Sequence, residues 1–134
     1  MALSCMDDSL RRQCGEWLKK ALEDELSIKA ILTEEGAPST ACFLSQQMAE
    51  KCLKALLIYL GIPYPKVHDL LELETLIQAV EPKIKQLHED LVLLNRFYIE
   101  TRYPGDYPTF TWDESREAFD AACRAKDFVS SNLR

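Results

Sequence analysis

The pattern of apolar residues along this chain is helical almost throughout, and no stretch alternates with the period of a β-strand. We expect the first helix to begin within residues 7–9, which are suited to a helix N-terminus, and to run to about Glu34. Its apolar face holds Leu10, Cys14, Trp17, Ala21, Ile28 and Ile31. Asp24 lies on the same face, where an unpaired carboxylate is costly. We therefore expect it to pair with Arg102 or, as second choice, with Lys51, unless a local rotation leaves it at the rim in water.

Four further helices follow the break at residues 36–38, where Gly-Ala-Pro ends the first pattern. They are expected from about Thr40 to Leu60, from Asp69 to Ala79, from Pro82 to Tyr103, and from the capping box Thr111-Trp112-Asp113-Glu114 to near Val129. Ser39 or Thr40 is suited to cap the second helix. The pattern thus predicts an all-α fold with a single domain over residues 1–134. We expect an up-and-down antiparallel bundle of four long helices and one short helix, whose wide apolar faces favour a dimer.

The second predicted helix is the most apolar of the five and keeps a polar stripe at Gln47, Lys51 and Lys54. Lys51 and Lys54 lie one turn apart, so they can hold a phosphate together or form an ordinary solvated face. His68 precedes the third helix, where a neutral imidazole can cap the helix, contact a ligand or serve only the packing. For all three residues the sequence leaves these roles open.

Charge and cysteine content limit the classes of function. The net charge of -6 argues against broad binding of duplex nucleic acid, although it is compatible with a local cationic pocket for a nucleotide or a short strand. Five cysteines without a C-x-x-C pair indicate free, mostly buried thiols and favour a cytoplasmic location. No Cys/His spacing resembles a zinc site, and we expect no metal and no cofactor. We also recognise no signal peptide and no membrane span.

Residues 101–110, with the sequence T-R-Y-P-G-D-Y-P-T-F, form the longest stretch that departs from the helical pattern. Pro104 should end the helix that arrives at Arg102. The stretch combines a cation, two phenols and a carboxylate, which belong to Arg102, Tyr103, Tyr107 and Asp106. This combination is typical of a binding site, and the alternative is an inter-helix loop in which the arginine satisfies helix-end carbonyls.

Four segments carry a resemblance: Trp17 with Ala21 and Asp24, then C-F-L-S-Q-Q-M-A-E-K-C-L-K-A-L-L at 42–57, then His68-Asp69-Leu70, then T-R-Y-P at 101–104. In this order they resemble the HEPN domain family, over about Cys14 to Val129. The resemblance implies a five-helix bundle that dimerises and is similar to the substrate-binding domain of kanamycin nucleotidyltransferase. Stand-alone members often accompany a minimal nucleotidyltransferase, which carries the catalytic carboxylates and the metal.

The resemblance therefore implies a non-catalytic subunit that binds nucleotide or substrate and partners a minimal nucleotidyltransferase, as in a toxin–antitoxin pair. In this hypothesis Arg102 contacts a phosphate, because its planar fork matches phosphate oxygens, and Asp24 orients the guanidinium. The expected nucleotide- or anion-binding residues are Asp24, Lys51, Lys54, His68, Arg102, Tyr103, Asp106 and Tyr107. No residue is assigned a catalytic role.

Three further hypotheses belong to different classes of function. Some members of the family are metal-independent ribonucleases and toxins that use an arginine followed a few residues later by a histidine. No histidine follows Arg102 in this chain, and Tyr107 is a poor base near neutral pH because the ordinary pKa of tyrosine is about 10. An RNA-cleaving toxin therefore ranks below the binding subunit, with RNA as a further candidate ligand. The second hypothesis is that a partner nucleotidyltransferase modifies Tyr107, and the third is that the chain is a helical dimerisation module without ligand.

Overall fold

The computed structural model describes residues 7–98 and 109–133, and within these ranges every regular element is a helix. The elements are α1 (Asp8–Glu34), α2 (Pro38–Tyr59), α3 (Leu70–Gln78), a 3₁₀ helix (Pro82–Leu87), α4 (His88–Asn95) and α5 (Trp112–Asn132). The predicted all-α helical bundle is confirmed. The long helices in the described ranges are α1, α2 and α5, whereas α3 and α4 are short.

Polar side chains fix the starts of most helices, as the sequence predicts. The Asp7 side chain accepts a hydrogen bond from the Leu10 N–H at 2.8 Å, and Thr111 and Glu114 form the predicted capping box of α5. The prediction that Ser39 or Thr40 caps α2 is wrong. Pro38 occupies the first turn, where its fixed φ suits a helix, so α2 begins earlier with Ala37 as the N-cap residue.

The fourth predicted helix differs most from expectation. Its first part is the 3₁₀ helix, and α4 ends at Asn95 instead of continuing to Tyr103. The Asn95 side chain accepts a hydrogen bond from the Leu70 N–H and donates one to Asp69, both at 2.9 Å, so the end of α4 holds the start of α3. Phe97 follows in a turn and is fully buried, with its ring edge-on to Phe110 at a centroid distance of 4.8 Å.

Side-chain contacts define the directions of the helices. The pairs Cys14–Ala55 and Asp24–Lys51 show that α1 and α2 are antiparallel, and Arg96–Glu114 and Asp90–Arg124 show the same for α4 and α5. At their starts α2 and α5 are joined by a hydrogen bond from the Phe110 N–H to Ser39 Oγ at 2.9 Å. Farther along, Lys51 of α2 and Lys126 of α5 contact neighbouring residues of α1. The helices α2 and α5 therefore run in the same direction.

The core is centred on α2, which is buried on nearly every side between α1, α5 and α3. As predicted, α5 presents a narrow face to it, consisting of the buried residues Ala118, Ala122, Ala125 and Val129. The four cysteines in the described ranges are free thiols, which confirms that expectation for them. None of the helices there is both long and apolar enough to cross a bilayer.

Glu25 of α1 is a buried carboxylate with two lysine partners. Its oxygens lie 3.0 Å from Lys126 Nζ, and Glu25 Oε2 lies 3.4 Å from Lys29 Nζ. Desolvation is the largest single influence and raises the pKa of Glu25, but the hydrogen bonds and charges of the two lysines together outweigh it and lower the pKa below 4.5. This ion-paired group therefore links α1 to α5.

Candidate functional site

A row of buried polar residues crosses the core on α2. Gln46, Glu50 and Lys54 follow one another at intervals of one helical turn, and their exposed fractions are 0%, 3% and 5%. We call this row the polar seam. Burying two charged groups costs several kcal/mol of desolvation for each, and it is tolerated only where hydrogen bonds and ion pairs satisfy them. The seam is therefore an expensive feature that a helix of purely structural role does not require.

Lys54 lies under two aromatic rings. Its Nζ donates a hydrogen bond to Glu50 Oε2 at 2.9 Å and lies 5.3 Å and 5.9 Å from the ring centroids of Trp17 and Tyr64. Trp17 Nε1 donates to the Tyr64 hydroxyl at 3.0 Å, which fixes the two rings relative to each other. The ammonium group thus exchanges water for one carboxylate and two π faces, an arrangement that stabilises a buried cation.

Glu50 also holds His68. Its two carboxylate oxygens lie 3.0 Å and 3.2 Å from His68 Nδ1, and since a carboxylate only accepts hydrogen bonds, Nδ1 is the ring nitrogen that donates. Gln46 Nε2 donates to the His68 carbonyl at 2.9 Å and so fixes the backbone as well. The imidazole stacks on Tyr98 with a centroid distance of 4.5 Å and an interplanar angle of 15°. A buried carboxylate therefore sets the orientation of a ring whose side chain is 48% exposed.

A surface cavity of about 430 Å³ opens beside this stack, and Lys66, Val67, His68, Asp69, Glu72, Asn95 and Tyr98 line it. Its charged groups are one lysine and two carboxylates. Asp69 has a structural role, because its side chain caps α3 by accepting a hydrogen bond from the Leu71 N–H at 2.9 Å. The cavity offers a flat stacked pair of rings and mixed polar groups, and its surface is not strongly cationic.

A second histidine repeats the arrangement on the other side of α3. His88 Nδ1 lies 2.8 Å and 3.1 Å from the oxygens of the buried Glu74, and its side chain is 55% exposed. This pair joins α3 to α4, and nothing connects it to the polar seam or to an aromatic stack in the described ranges. Residues 7–98 and 109–133 contain no group of three or more His, Cys, Asp or Glu side chains that could hold a metal ion.

The predicted site residues fall into three groups. Lys51 Nζ lies 2.7 Å from Asp24 Oδ2, which confirms the second of the two partners expected for Asp24. Lys54 and His68 meet at Glu50, whereas Asp69, not His68, caps α3. Arg102, Tyr103, Asp106 and Tyr107 lie outside the described residues, and their roles stay predictions. So does anion binding by Lys51 and Lys54, whose charges are each paired with a carboxylate.

Sequence reasoning missed the residues that organise this cluster, namely Gln46, Glu50 and Tyr98. The sequence pattern instead drew attention to the polar stripe at Gln47, Lys51 and Lys54, which is only partly exposed to solvent in the structure. The available signal was the polar spacing of four residues through an otherwise apolar helix, together with Glu50 one turn before Lys54, the favourable order for a helical ion pair.

The profile of the HEPN domain family matches residues 14–132. The chain belongs to the HEPN domain family. Two solved structures agree with this assignment. Each superposition covers 90% of this chain and 98% of the chain in the solved structure. One is TT1696 from Thermus thermophilus, with 29% identity and a TM-score of 0.76. The other is ST0689, described as an archaeal HEPN homologue, with 27% identity and a TM-score of 0.71. No curated protein matches the chain.

Proposed function

We propose that this HEPN protein is a non-catalytic nucleotide-binding subunit that works with a minimal nucleotidyltransferase. The observation that carries the proposal is the polar seam: Glu50 is buried together with Lys54 and holds His68 against Tyr98 at the rim of a cavity. Two parallel stacked rings beside an open cavity are suited to extend their stack onto a nucleobase. A bundle that needed only stability would fill these positions with apolar residues at lower cost.

The phosphate-binding group of the proposed site is Arg102. Four residues of chain reach at most about 14 Å, so Arg102 is tied closely to Tyr98 by the covalent chain alone. Lys66 at the cavity rim supplies a second cation. Lys51 Nζ contacts the Oδ2 oxygen of Asp24, and the orientation of the Arg102 guanidinium by the same carboxylate stays a prediction. Asp106 and Tyr107 complete the proposed site from the other end of the segment, within three residues of Thr109.

Titration calorimetry with ATP, GTP, AMP and inorganic phosphate tests this function. We expect one or more nucleotides to bind and Arg102→Ala to weaken binding at least tenfold, which corresponds to about 1.4 kcal/mol. Arg116→Ala is the matched control, because it also removes an exposed arginine. Arg116 lies on α5, about 200° around the helix from Glu114, and therefore faces away from the side of α5 that contacts Arg96 of α4. Equal binding by both variants, or no binding by the wild type, overturns the proposal.

One observation favours a second candidate, a metal-independent ribonuclease. His68 comes from a different part of the chain than the histidine of the family motif, yet Glu50 orients its ring as a carboxylate orients a general base. In this alternative His68 replaces the motif histidine. It requires RNA cleavage in the presence of a chelator that is lost in His68→Asn and retained in His88→Asn, whose ring has the same carboxylate geometry. Cleavage that persists in both variants excludes this role for His68.

A further inference from the structure

Glu74 of α3 is a buried carboxylate that pairs with no lysine or arginine in the described part of the chain. Its side chain is 6% exposed, and its oxygens accept hydrogen bonds from His88 Nδ1 instead. Glu25, the buried glutamate of α1, has two lysine partners. Burial of a carboxylate is costly, and a half-exposed imidazole compensates it less fully than a lysine does. Fixing the orientation of the imidazole is the role that explains this buried acid.

The second nitrogen of this imidazole is available at the surface. The His88 side chain is 55% exposed, and Nε2 has no hydrogen-bond partner among residues 7–98 and 109–133. A proton on Nε2 makes the ring an imidazolium, which donates to Glu74 through Nδ1 and to a ligand through Nε2. A buried carboxylate therefore holds this ring at one nitrogen and leaves the other open for binding.

His88 contributes to the walls of two surface cavities, of which the first is polar. This cavity measures about 440 Å³ and is lined by Leu71, Glu74, Thr75, Gln78, Lys85 and His88. The Lys85 ammonium and the Gln78 amide have no hydrogen-bond or ion-pair partner in the described ranges, so both can donate to a ligand. Lys85 and a protonated His88 exceed Glu74 by one positive charge. The first cavity is therefore suited to a ligand group with one negative charge.

The second cavity adds an apolar wall. It measures about 420 Å³ and is lined by His88, Glu89, Val92, Leu93 and Arg96. Val92 is 43% exposed and Leu93 is half-buried, so both offer apolar surface that a ligand can remove from water. The charges of Glu89 and Arg96 cancel. The second cavity is therefore suited to the uncharged, apolar part of a ligand.

We propose that His88 and Lys85 bind the carboxylate of a small organic acid or of a peptide C-terminus, with the apolar group of that ligand against Val92. Nε2–H and the Lys85 ammonium donate to the carboxylate oxygens, and such charge-assisted hydrogen bonds are the strong ones. Glu74 is a positioning residue that acts through the imidazole. A phosphate dianion carries twice the charge that the first cavity balances, so a monocarboxylate is the better match.

This inference goes beyond the proposed function, because none of the residues proposed to bind nucleotide takes part. NMR of the two imidazoles during titration with hexanoate at constant pH tests it. The His88 signals should shift saturably and those of His68 should stay fixed. A nucleotide is expected to produce the opposite response, so the failure of one proposal is distinguishable from the failure of the other. His88 signals that do not respond to hexanoate overturn the carboxylate site.

Two lysines of the 3₁₀ helix give a matched pair of variants. Lys85→Ala should weaken hexanoate binding at least tenfold, because it removes one of the two cations. Lys83→Ala should leave binding unchanged, because Lys83 is exposed on the same helix but lines neither cavity. Glu74→Gln should weaken binding severalfold while the circular dichroism spectrum stays that of the wild type. Equal affinities of the two lysine variants contradict the proposed contact.

The choice of ligand tests the chemistry of the site. Hexan-1-ol, which lacks the carboxylate, should leave the His88 signals fixed, and inorganic phosphate should bind at least tenfold more weakly than hexanoate. Val92→Thr keeps the shape of the side chain and should weaken hexanoate but not acetate. Tighter binding of acetyl-glycyl-leucine than of hexanoate identifies a peptide C-terminus as the ligand, and the reverse order identifies a free acid. Equal binding of hexanol or phosphate overturns the assignment to a carboxylate.

Discussion

The pairing of Glu50 with Lys54 gives the sharpest prediction about the polar seam. Lys54→Met leaves an unbranched apolar side chain, one atom shorter, beside Trp17 and Tyr64, and it removes the ammonium group that lies 2.9 Å from Glu50 Oε2. A charge-assisted hydrogen bond of this kind contributes roughly 1.5–3 kcal/mol, and the cation–π contacts add about 1 kcal/mol or more. In this variant Glu50 stays buried with His68 and Gln46 as its remaining hydrogen-bond donors. We therefore expect Lys54→Met to lower the free energy of unfolding by about 3 kcal/mol.

A double-mutant cycle measures the interaction free energy between Glu50 and Lys54 separately from their contacts with other residues. Glu50→Met and Lys54→Met together replace both charges by apolar side chains, and such replacements in buried ion pairs are often neutral or stabilising. We therefore expect the double variant to recover much of the stability that Lys54→Met loses, with a coupling free energy of about 2 kcal/mol. The assay is urea denaturation followed by tryptophan fluorescence, in which Trp17 reports directly on the seam.

The matched control is Lys51→Met, which breaks the Asp24 pair three residues earlier on the same helix. This pair is more exposed, with 20% of the Lys51 side chain and 13% of the Asp24 side chain accessible, so its loss should cost less. If Lys54→Met lowers the free energy of unfolding by less than about 1 kcal/mol, or if the effects of the two seam substitutions are additive, Glu50 and Lys54 do not stabilise each other as proposed.

Three other predictions concern the rest of the fold. Because the net effect of its lysine partners is a lowered pKa, ionised Glu25 stabilises the fold above about pH 4.5, and this contribution is lost as the pH falls through the lower folded-state value. Glu25→Gln should therefore be less stable than the wild type at pH 7 and approach its stability as the pH falls through the lowered folded-state pKa of Glu25, and a constant difference across a pH series of urea unfolding contradicts this. Burial raises the pKa of Cys42 and of Cys52 to about 12, so mass mapping after treatment with iodoacetamide at neutral pH should find both unmodified in the native protein and alkylated only in urea. Thr111→Ala should lower the urea midpoint because it removes the capping box of α5, whereas Thr111→Ser should retain it, and equal midpoints for the two variants count against the cap.

The helices were predictable because each has a local signal in the sequence. The apolar period, the Asp7 cap and the Thr111–Glu114 capping box act within a few residues, so they mark the start of α1 and of α5. The end of α4 was not predictable in this way. Asn95 stops that helix through its contacts with Asp69 and Leu70, which lie 25 or more residues earlier in the chain.

The candidate site depends more strongly on tertiary structure. Lys51 and Lys54 look alike in the sequence, yet one pairs with α1 at the rim and the other is enclosed by Glu50 and two aromatic rings. The partnership of His68 with Glu50 joins residues 18 positions apart and arises from the path of the connector between α2 and α3. Helical spacing alone gives no information about that path.

The proposed function requires that a nucleotide binds beside the stack of His68 on Tyr98. The chain contains two histidines, and both rings are held by a buried glutamate through Nδ1, so one reports on the proposed site and the other is an internal control. The decisive measurement is NMR of the two imidazoles during titration with the nucleotide that binds most tightly. We predict that the His68 ring signals shift saturably, that those of His88 stay fixed, and that Arg102→Ala moves the midpoint of the His68 shift to at least tenfold higher nucleotide concentration. If nucleotide binding leaves the His68 signals unchanged, or shifts the His88 signals instead, the nucleotide does not bind beside this stack.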